Sequence, residues 1–213
     1  GAGHEVVIGS RSGEPSRIDG IHSVQIDVGE VDSIESAIAE IEERFGNIEV
    51  LVANAGVTRD SLLMRMTDDD IDETITTNLI GSIRLARRVL RPMIKAKHGR
   101  IVFMSSVVGL LGSAGQVNYA ASKAGLIGAA RSLTREVGSR GITVNVITPG
   151  FIDTDMTAGL DEATKSAILK TIPAARYGQP DEVAQAVEFL VSNSAAYISG
   201  AVIPVDGGLG MGH

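Results

Sequence analysis

Arg100-Ile101-Val102-Phe103-Met104-Ser105-Ser106 reads as a buried strand, an apolar run closed by two hydroxyls. A long helix follows, Val117 to Gly138, and then a second apolar strand, Ile142 to Ile147. Strand, helix and strand in succession make a βαβ unit, with parallel strands and a right-handed crossover. Ligands of such sheets bind outside the carboxyl ends of the strands. Ser106 stands at one of those ends.

The pattern extends in both directions. Upstream, Glu5 to Ser10 and Ser23 to Val28 read as short strands, and Glu49 to Ala53 as another. Between them, Ile34, Ala37, Ile38, Ile41 and Phe45 recur with a helical period over Asp32–Phe45, ended by Gly46. Thr67 is a good N-cap, and the three aspartates after it suit the positive end of a helix dipole. That helix runs to about Lys97 with an irregularity near Gly81, and His98-Gly99 ends it. Downstream, Asp161–Thr171 and Pro180–Asn193 read as helices, and Ala201–Val205 as a last strand. The fold class is α/β, a doubly wound parallel sheet. Residues 1–213 read as one domain, the default for this length.

Composition narrows the function. The chain is 44% hydrophobic with 25 glycines and only 3% aromatics, which suits a core of Val, Ile, Leu and Ala. No apolar run approaches the roughly 18 residues of a membrane span, and the start has no signal-peptide pattern. The absence of cysteine excludes disulfides and thiol catalysis. His4, His22, His98 and His213 lack metal-ligand spacing, so no metal site is expected. A net charge of −7 argues against nucleic acid as a partner. Yet Arg84, Arg87, Arg88, Arg91, Lys95, Lys97 and Arg100 crowd one stretch. They read either as a solvated helix face or as a docking patch for an acidic partner.

The chemistry gathers at Tyr119-Ala120-Ala121-Ser122-Lys123, thirteen residues after Ser106. Positions four apart share a helix face. A hydroxyl at a strand end, facing a phenol and an ammonium, can polarise and protonate a carbonyl. The lysine's charge favours phenolate and should lower the tyrosine pKa from its usual value of about 10. Asn54-Ala55-Gly56 follows one strand, Asn78 sits in a helical stretch, Pro149-Gly150 follows another strand, and Asp27-Val28 ends an early one.

In this order the motifs resemble the short-chain dehydrogenase/reductase family along the whole chain. The resemblance implies a Rossmann-like NAD(P)-binding domain. It implies that Ser106 binds the substrate carbonyl, Tyr119 donates the proton, and Lys123 lowers the tyrosine pKa and holds the nicotinamide ribose. It gives Asn78 a water that links Lys123 to solvent, with a helix cap or kink as the alternative. Ser122 is a packing residue on this reading. Asp27 and Val28 would contact adenine, Asn54, Ala55 and Gly56 would line the cofactor, and Pro149, Gly150, Ile152 and Thr154 would flank the nicotinamide. Gly9-Ser10-Arg11-Ser12 has no acid to bond a ribose, and Arg11 can pair a phosphate, so NADP is the expected cofactor. The family's first strand and glycine-rich turn have no match here. The expectation is a sequence shorter than the natural protein by roughly thirty residues, lacking the strand at the centre of the sheet. Such a fragment should bind a dinucleotide poorly.

Leu62–Met66, Gly115–Tyr119, Gly150–Met156, Ile198–Gly200 and the tail Ala201–His213 look like bacterial 3-oxoacyl-[acyl-carrier-protein] reductases, the tail most like the actinobacterial form. This implies NADPH-dependent reduction of 3-oxoacyl thioesters in fatty-acid elongation, a cytoplasmic homotetramer, and an acidic acyl carrier protein as partner. The family's carrier-docking positions match Lys97 and Arg140. The stretch Thr154–Ile172, with Met156 and Leu160, is either a lid over the acyl chain or core packing. Two other functions remain open: reduction of another carbonyl such as acetoacetyl-CoA, and a non-catalytic dinucleotide-sensing or scaffold role.

Overall fold

The computed structural model describes residues 3–154 and 161–211. Six parallel strands alternate with helices: β1 (Val6–Ser10), β2 (Ile21–Gln25), β3 (Val50–Ala53), β4 (Gly99–Met104), β5 (Ile142–Pro149) and β6 (Val202–Val205). They form two sheets among the described residues, β1-β2 and β3-β4-β5-β6. In register, Ala53 pairs Phe103, and Met104 pairs Ile147, so the carboxyl ends of β3, β4 and β5 finish together.

Helices cover the sheets: α1 (Val31–Phe45), α2 (Asp68–Ile75), α3 (Gly81–Ala96), α4 (Val108–Leu111), α5 (Val117–Val137), α6 (Glu162–Leu169) and α7 (Pro180–Val191). β4 and most of β5 are buried throughout, with Ile101, Phe103, Val144 and Val146 packed against Leu126 and Ala130 of α5 and Val89 and Met93 of α3. A second core under α7 holds Val102, Met104, Ile147 and Leu190. Thr67 caps α2 through a reciprocal capping box with Asp70.

The expected helix Thr67–Lys97 is broken by a π turn, Thr76–Ile80, in which the Gly81 N–H bonds the Thr76 carbonyl five residues back. The second strand stops at Gln25 rather than Val28. There the chain turns, because the Asp27 carboxylate accepts the Gly29 N–H at 2.9 Å and Ser33 accepts the Asp27 N–H at 2.8 Å. β5 runs two residues past its expected end. Two arginines tie the β1-β2 side to α3: Arg88 pairs with Glu35 and Glu42, and Arg84 donates to the Gly29 carbonyl at 2.6 Å.

Candidate active site

The site is built where β4 ends and α5 begins. Ser105 continues the β4 ladder, its N–H bonding the Ile147 carbonyl at 2.8 Å, and its hydroxyl donates to the Lys123 carbonyl at 2.7 Å. This pins the second turn of α5 to the strand end. Ser106 then turns toward α5, accepts the Val108 N–H at 3.2 Å, and bears on the Tyr119 phenol. Ser106, not Ser105, therefore faces the tyrosine. Gly109 lets α4 cross α5 closely, since a methyl there would lie 3.0 Å from the Ala124 nitrogen and from Lys123 Cβ.

Lys123 is 4% exposed. Its ammonium donates to the Met104 carbonyl at 2.7 Å and lies 5.6 Å from the centroid of the Tyr119 ring. Burial pushes its pKa down to about 8. The Tyr119 phenol moves the opposite way to expectation. Burial raises its pKa, the Ser106 hydrogen bond opposes that, and the charge of Asp60 adds to the rise. The expected lowering by lysine is not seen: the Lys123 ammonium lies over the ring and donates to the Met104 carbonyl. Tyr119 is thus a protonated phenol at neutral pH, suited to donate.

Asn78 is fully buried in the π turn. Its amide oxygen accepts the Val57 N–H at 2.8 Å, and its amide nitrogen donates to the Val57 carbonyl at 2.9 Å and to Ser122 at 3.1 Å. The side chain is a staple between the loop after β3 and α5, and it sits in the helix kink that the alternative reading names. Ser122 is fully buried and donates to the Tyr119 carbonyl, as a packing residue does. A methyl on Gly56 would lie 3.3 Å from Asn78 Oδ1 and 3.4 Å from Lys123 Nζ.

A cleft of about 190 Å³ opens beside this cluster, lined by Arg11, Asp27, Val28, Ala55 and Gly56, with Gly9, Ser10, Ile26, Val57 and Thr77. The structure thus gathers five of the residues assigned to cofactor binding. Asn54 follows β3 at the same edge. Pro149 and Gly150 end β5 on the other side of Ser106, where the Pro149 carbonyl accepts the Val107 N–H at 2.9 Å. Ile152 bridges to Gly178, and Thr154 is the last described residue before 161. Met156 and Leu160 lie outside the described residues. Glycines for close approach and a guanidinium, with Asp27 across the cleft, suit a nicotinamide dinucleotide.

Lys97 and Arg140 do not join this site. Lys97 caps α3 in a left-handed conformation (φ 53°), and Arg140 precedes β5. Both are exposed at the amino ends of the strands. A methyl on Gly141 would lie 2.5 Å from the Lys97 carbonyl oxygen, so the two loops touch.

Sequence reasoning missed Asn118. It is 3% exposed, and its amide nitrogen lies 3.1 Å from each of the Arg59 carbonyl, the Asp70 carbonyl and Thr74 Oγ1. Its oxygen accepts the Tyr119 N–H at 2.8 Å. It locks the first turn of α5 to α2 and to the loop that carries Asp60. Gln116 donates to Asp60 at 2.9 Å, closing the same wall. Only the adjacency of Asn118 to Tyr119 could have signalled this. Among the described residues, no group of three His, Asp or Glu could hold a metal ion, and no helix is long and apolar enough to cross a membrane.

The family model described as Enoyl-(Acyl carrier protein) reductase matches residues 8–210. The chain is 50% identical over 211 residues to the 3-oxoacyl-[acyl-carrier-protein] reductase MabA of Mycobacterium avium, covering 99% of this chain and 82% of that protein. It is 50% identical over 212 residues to MabA of Mycobacterium tuberculosis, covering 99% and 85%. It is 52% identical over 188 residues to FabG of Escherichia coli, covering 88% and 77%. With the serine, tyrosine and lysine assembled at the end of a parallel strand, the chain belongs to the short-chain dehydrogenase/reductase family.

Proposed function

We propose that the protein reduces 3-oxoacyl-[acyl-carrier-protein] to the 3-hydroxyacyl form with NADPH, in fatty-acid elongation. The observation that carries this is the gathering of Ser106, Tyr119 and Lys123 at the end of β4, beside a cleft that holds Arg11, in a chain half identical to reductases of that name. A bound nicotinamide supplies the hydride. Ser106 and Tyr119 converge on the position of the substrate carbonyl oxygen. Tyr119 gives its proton to that oxygen, and Ser106 orients it. Lys123, with a pKa near 8, stands behind the ring and Gly56, where it can meet ribose hydroxyls and return a proton. Arg11 favours a 2′-phosphate over a free ribose. The reading includes one dinucleotide-binding domain over 1–213, a cytoplasmic homotetramer, and an acidic carrier docked at Lys97 and Arg140.

The test is NADPH oxidation with acetoacetyl-CoA by the full chain beside its Tyr119→Phe and Arg11→Ala variants. The parent should turn over. Tyr119→Phe should lose about 10²–10⁴-fold in kcat. Arg11→Ala should raise KM for NADPH and leave KM for NADH unchanged. Tight NADPH binding without thioester turnover would move the assignment to another carbonyl, and equal activity of Tyr119→Phe would remove the tyrosine from the mechanism.

A further inference from the structure

The cleft beside the trio has two walls, and they come from different sheets. Ile26, Asp27 and Val28 follow β2 on one side, and Ala55, Gly56 and Val57 follow β3 on the other. No strand ladder joins β1-β2 to β3-β4-β5-β6 among the described residues, so backbone pairing does not set the distance between the walls. One stretch of helix reaches both. Thr77, in the π turn, lines the cleft between them. Asn78 grips the β3 side, bonding both the N–H and the carbonyl of Val57. Gly81 meets the β2 side, where a methyl would lie 2.7 Å from the Val28 carbonyl oxygen. Arg84, three residues on and so on the same helix face, donates to the Gly29 carbonyl at 2.6 Å.

Arg84 is half-buried and forms no ion pair among the described residues. Arg88, one turn further along α3, pairs with Glu35 and Glu42 of α1. Arg84 instead spends its charge on a backbone carbonyl. A charged donor makes a stronger hydrogen bond than a neutral one. The other hydrogen bonds of Asp27 and Gly29 stay within 27–33: the Asp27 carboxylate accepts the Gly29 N–H, the Asp27 carbonyl accepts the Glu30 N–H, and Ser33 accepts the Asp27 N–H. Those local bonds shape the turn. The bond from Arg84 fixes where the turn stands relative to α3. The carbonyl it holds is one residue past Val28, so a shift there moves the wall itself.

We propose that Arg84 is a positioning residue for the adenosine half of the cofactor: by holding the Gly29 carbonyl, it sets the Asp27–Val28 wall at its working distance from Gly56. The inference rests on the NADPH reading above. The test uses the full chain and its Arg84→Met, Arg84→Gln and Arg88→Met variants. Each is titrated calorimetrically with adenosine 2′,5′-bisphosphate, unfolded in urea, and assayed with NADPH and acetoacetyl-CoA. Arg84→Met should bind the bisphosphate about tenfold more weakly, the worth of one charge-assisted hydrogen bond. Its KM for NADPH should rise by a similar factor, with kcat and the KM for acetoacetyl-CoA unchanged. Arg84→Gln has neither the charge nor the reach, so it should show the same loss, and it carries the test if Arg84→Met does not fold. Arg88→Met removes two ion pairs from the same helix and should lower the urea midpoint without weakening the bisphosphate. An Arg84 variant that folds and binds the bisphosphate as tightly as the parent overturns the proposal. Equal weakening in Arg88→Met also overturns it, since the effect would then be one of anchoring α3 to α1. A parent that binds neither the bisphosphate nor NADPH overturns the cofactor reading beneath the inference.

Discussion

Replacing Lys123 by Met keeps the length of a side chain that is 4% exposed and removes its charge. Burial lowers the lysine pKa from 10.5 to about 8. Below that value the folded state holds an ammonium that it binds less readily than the unfolded chain does. The difference costs about 3 kcal/mol, at 1.36 kcal/mol per pKa unit. The variant also forfeits the bond to the Met104 carbonyl, returning about 1 kcal/mol of the gain. Lys123→Met should therefore be more stable than the parent by about 2 kcal/mol near neutral pH, while losing turnover. The assay is urea unfolding, read as a higher midpoint with an unchanged m-value. The pH dependence follows from the sign of the shift. Between about pH 8 and 10.5 the native lysine has lost its proton and the unfolded one has kept it, so the parent gains stability as pH rises. The gap between variant and parent should narrow through that window. A variant no more stable than its parent at neutral pH, or a gap that widens toward pH 10.5, refutes the reasoning.

Two further outcomes are expected. Asn118→Ala strands acceptors on Arg59, Asp70 and Thr74, and should cost about 2–4 kcal/mol of stability, read by the same unfolding assay, with Tyr119→Phe as a control that costs far less. The Tyr119 phenolate signal, taken as the absorbance difference between the parent and Tyr119→Phe, should appear only above about pH 10. It should move to lower pH in Asp60→Asn and to higher pH in Ser106→Ala, and a signal well below pH 10 in the parent contradicts the burial argument.

Most of the scaffold was legible because it rests on local signals. Apolar runs gave β4 and β5, a helical period gave α1, and Thr67 with its aspartates gave the start of α2. The break near Gly81 was visible as an irregularity, but its form was not, because a five-back hydrogen bond leaves no mark in composition. Strand β2 was drawn too long because Ile26 and Val28 are buried, and burial alone does not distinguish a strand from the turn after it. The trio of Ser106, Tyr119 and Lys123 was legible from spacing. The electrostatics were not. The Tyr119 pKa depends on how deeply the ring is buried and on Asp60, which is 59 residues upstream in the chain. The choice of Lys123 between phenol and Met104 depends on tertiary geometry. Asn118 was not legible, since its three acceptors come from two distant segments.

The π turn at Thr76–Ile80 amounts to one residue inserted into a helix. Each residue turns an α-helix by about 100°, so everything downstream is dialled round by that angle relative to α2. Two demands are met at once by this offset. The turn itself aims Asn78 inward at Val57, and α3 presents Leu85, Ala86, Val89 and Met93 to the sheet. Deleting any one residue of the five would restore a continuous helix with ordinary four-back bonds. It would also rotate that apolar stripe toward solvent, or swing the amide away from the loop after β3. The irregularity is therefore a gear between the loop after β3 and the core, and the more regular helix would be the defective one.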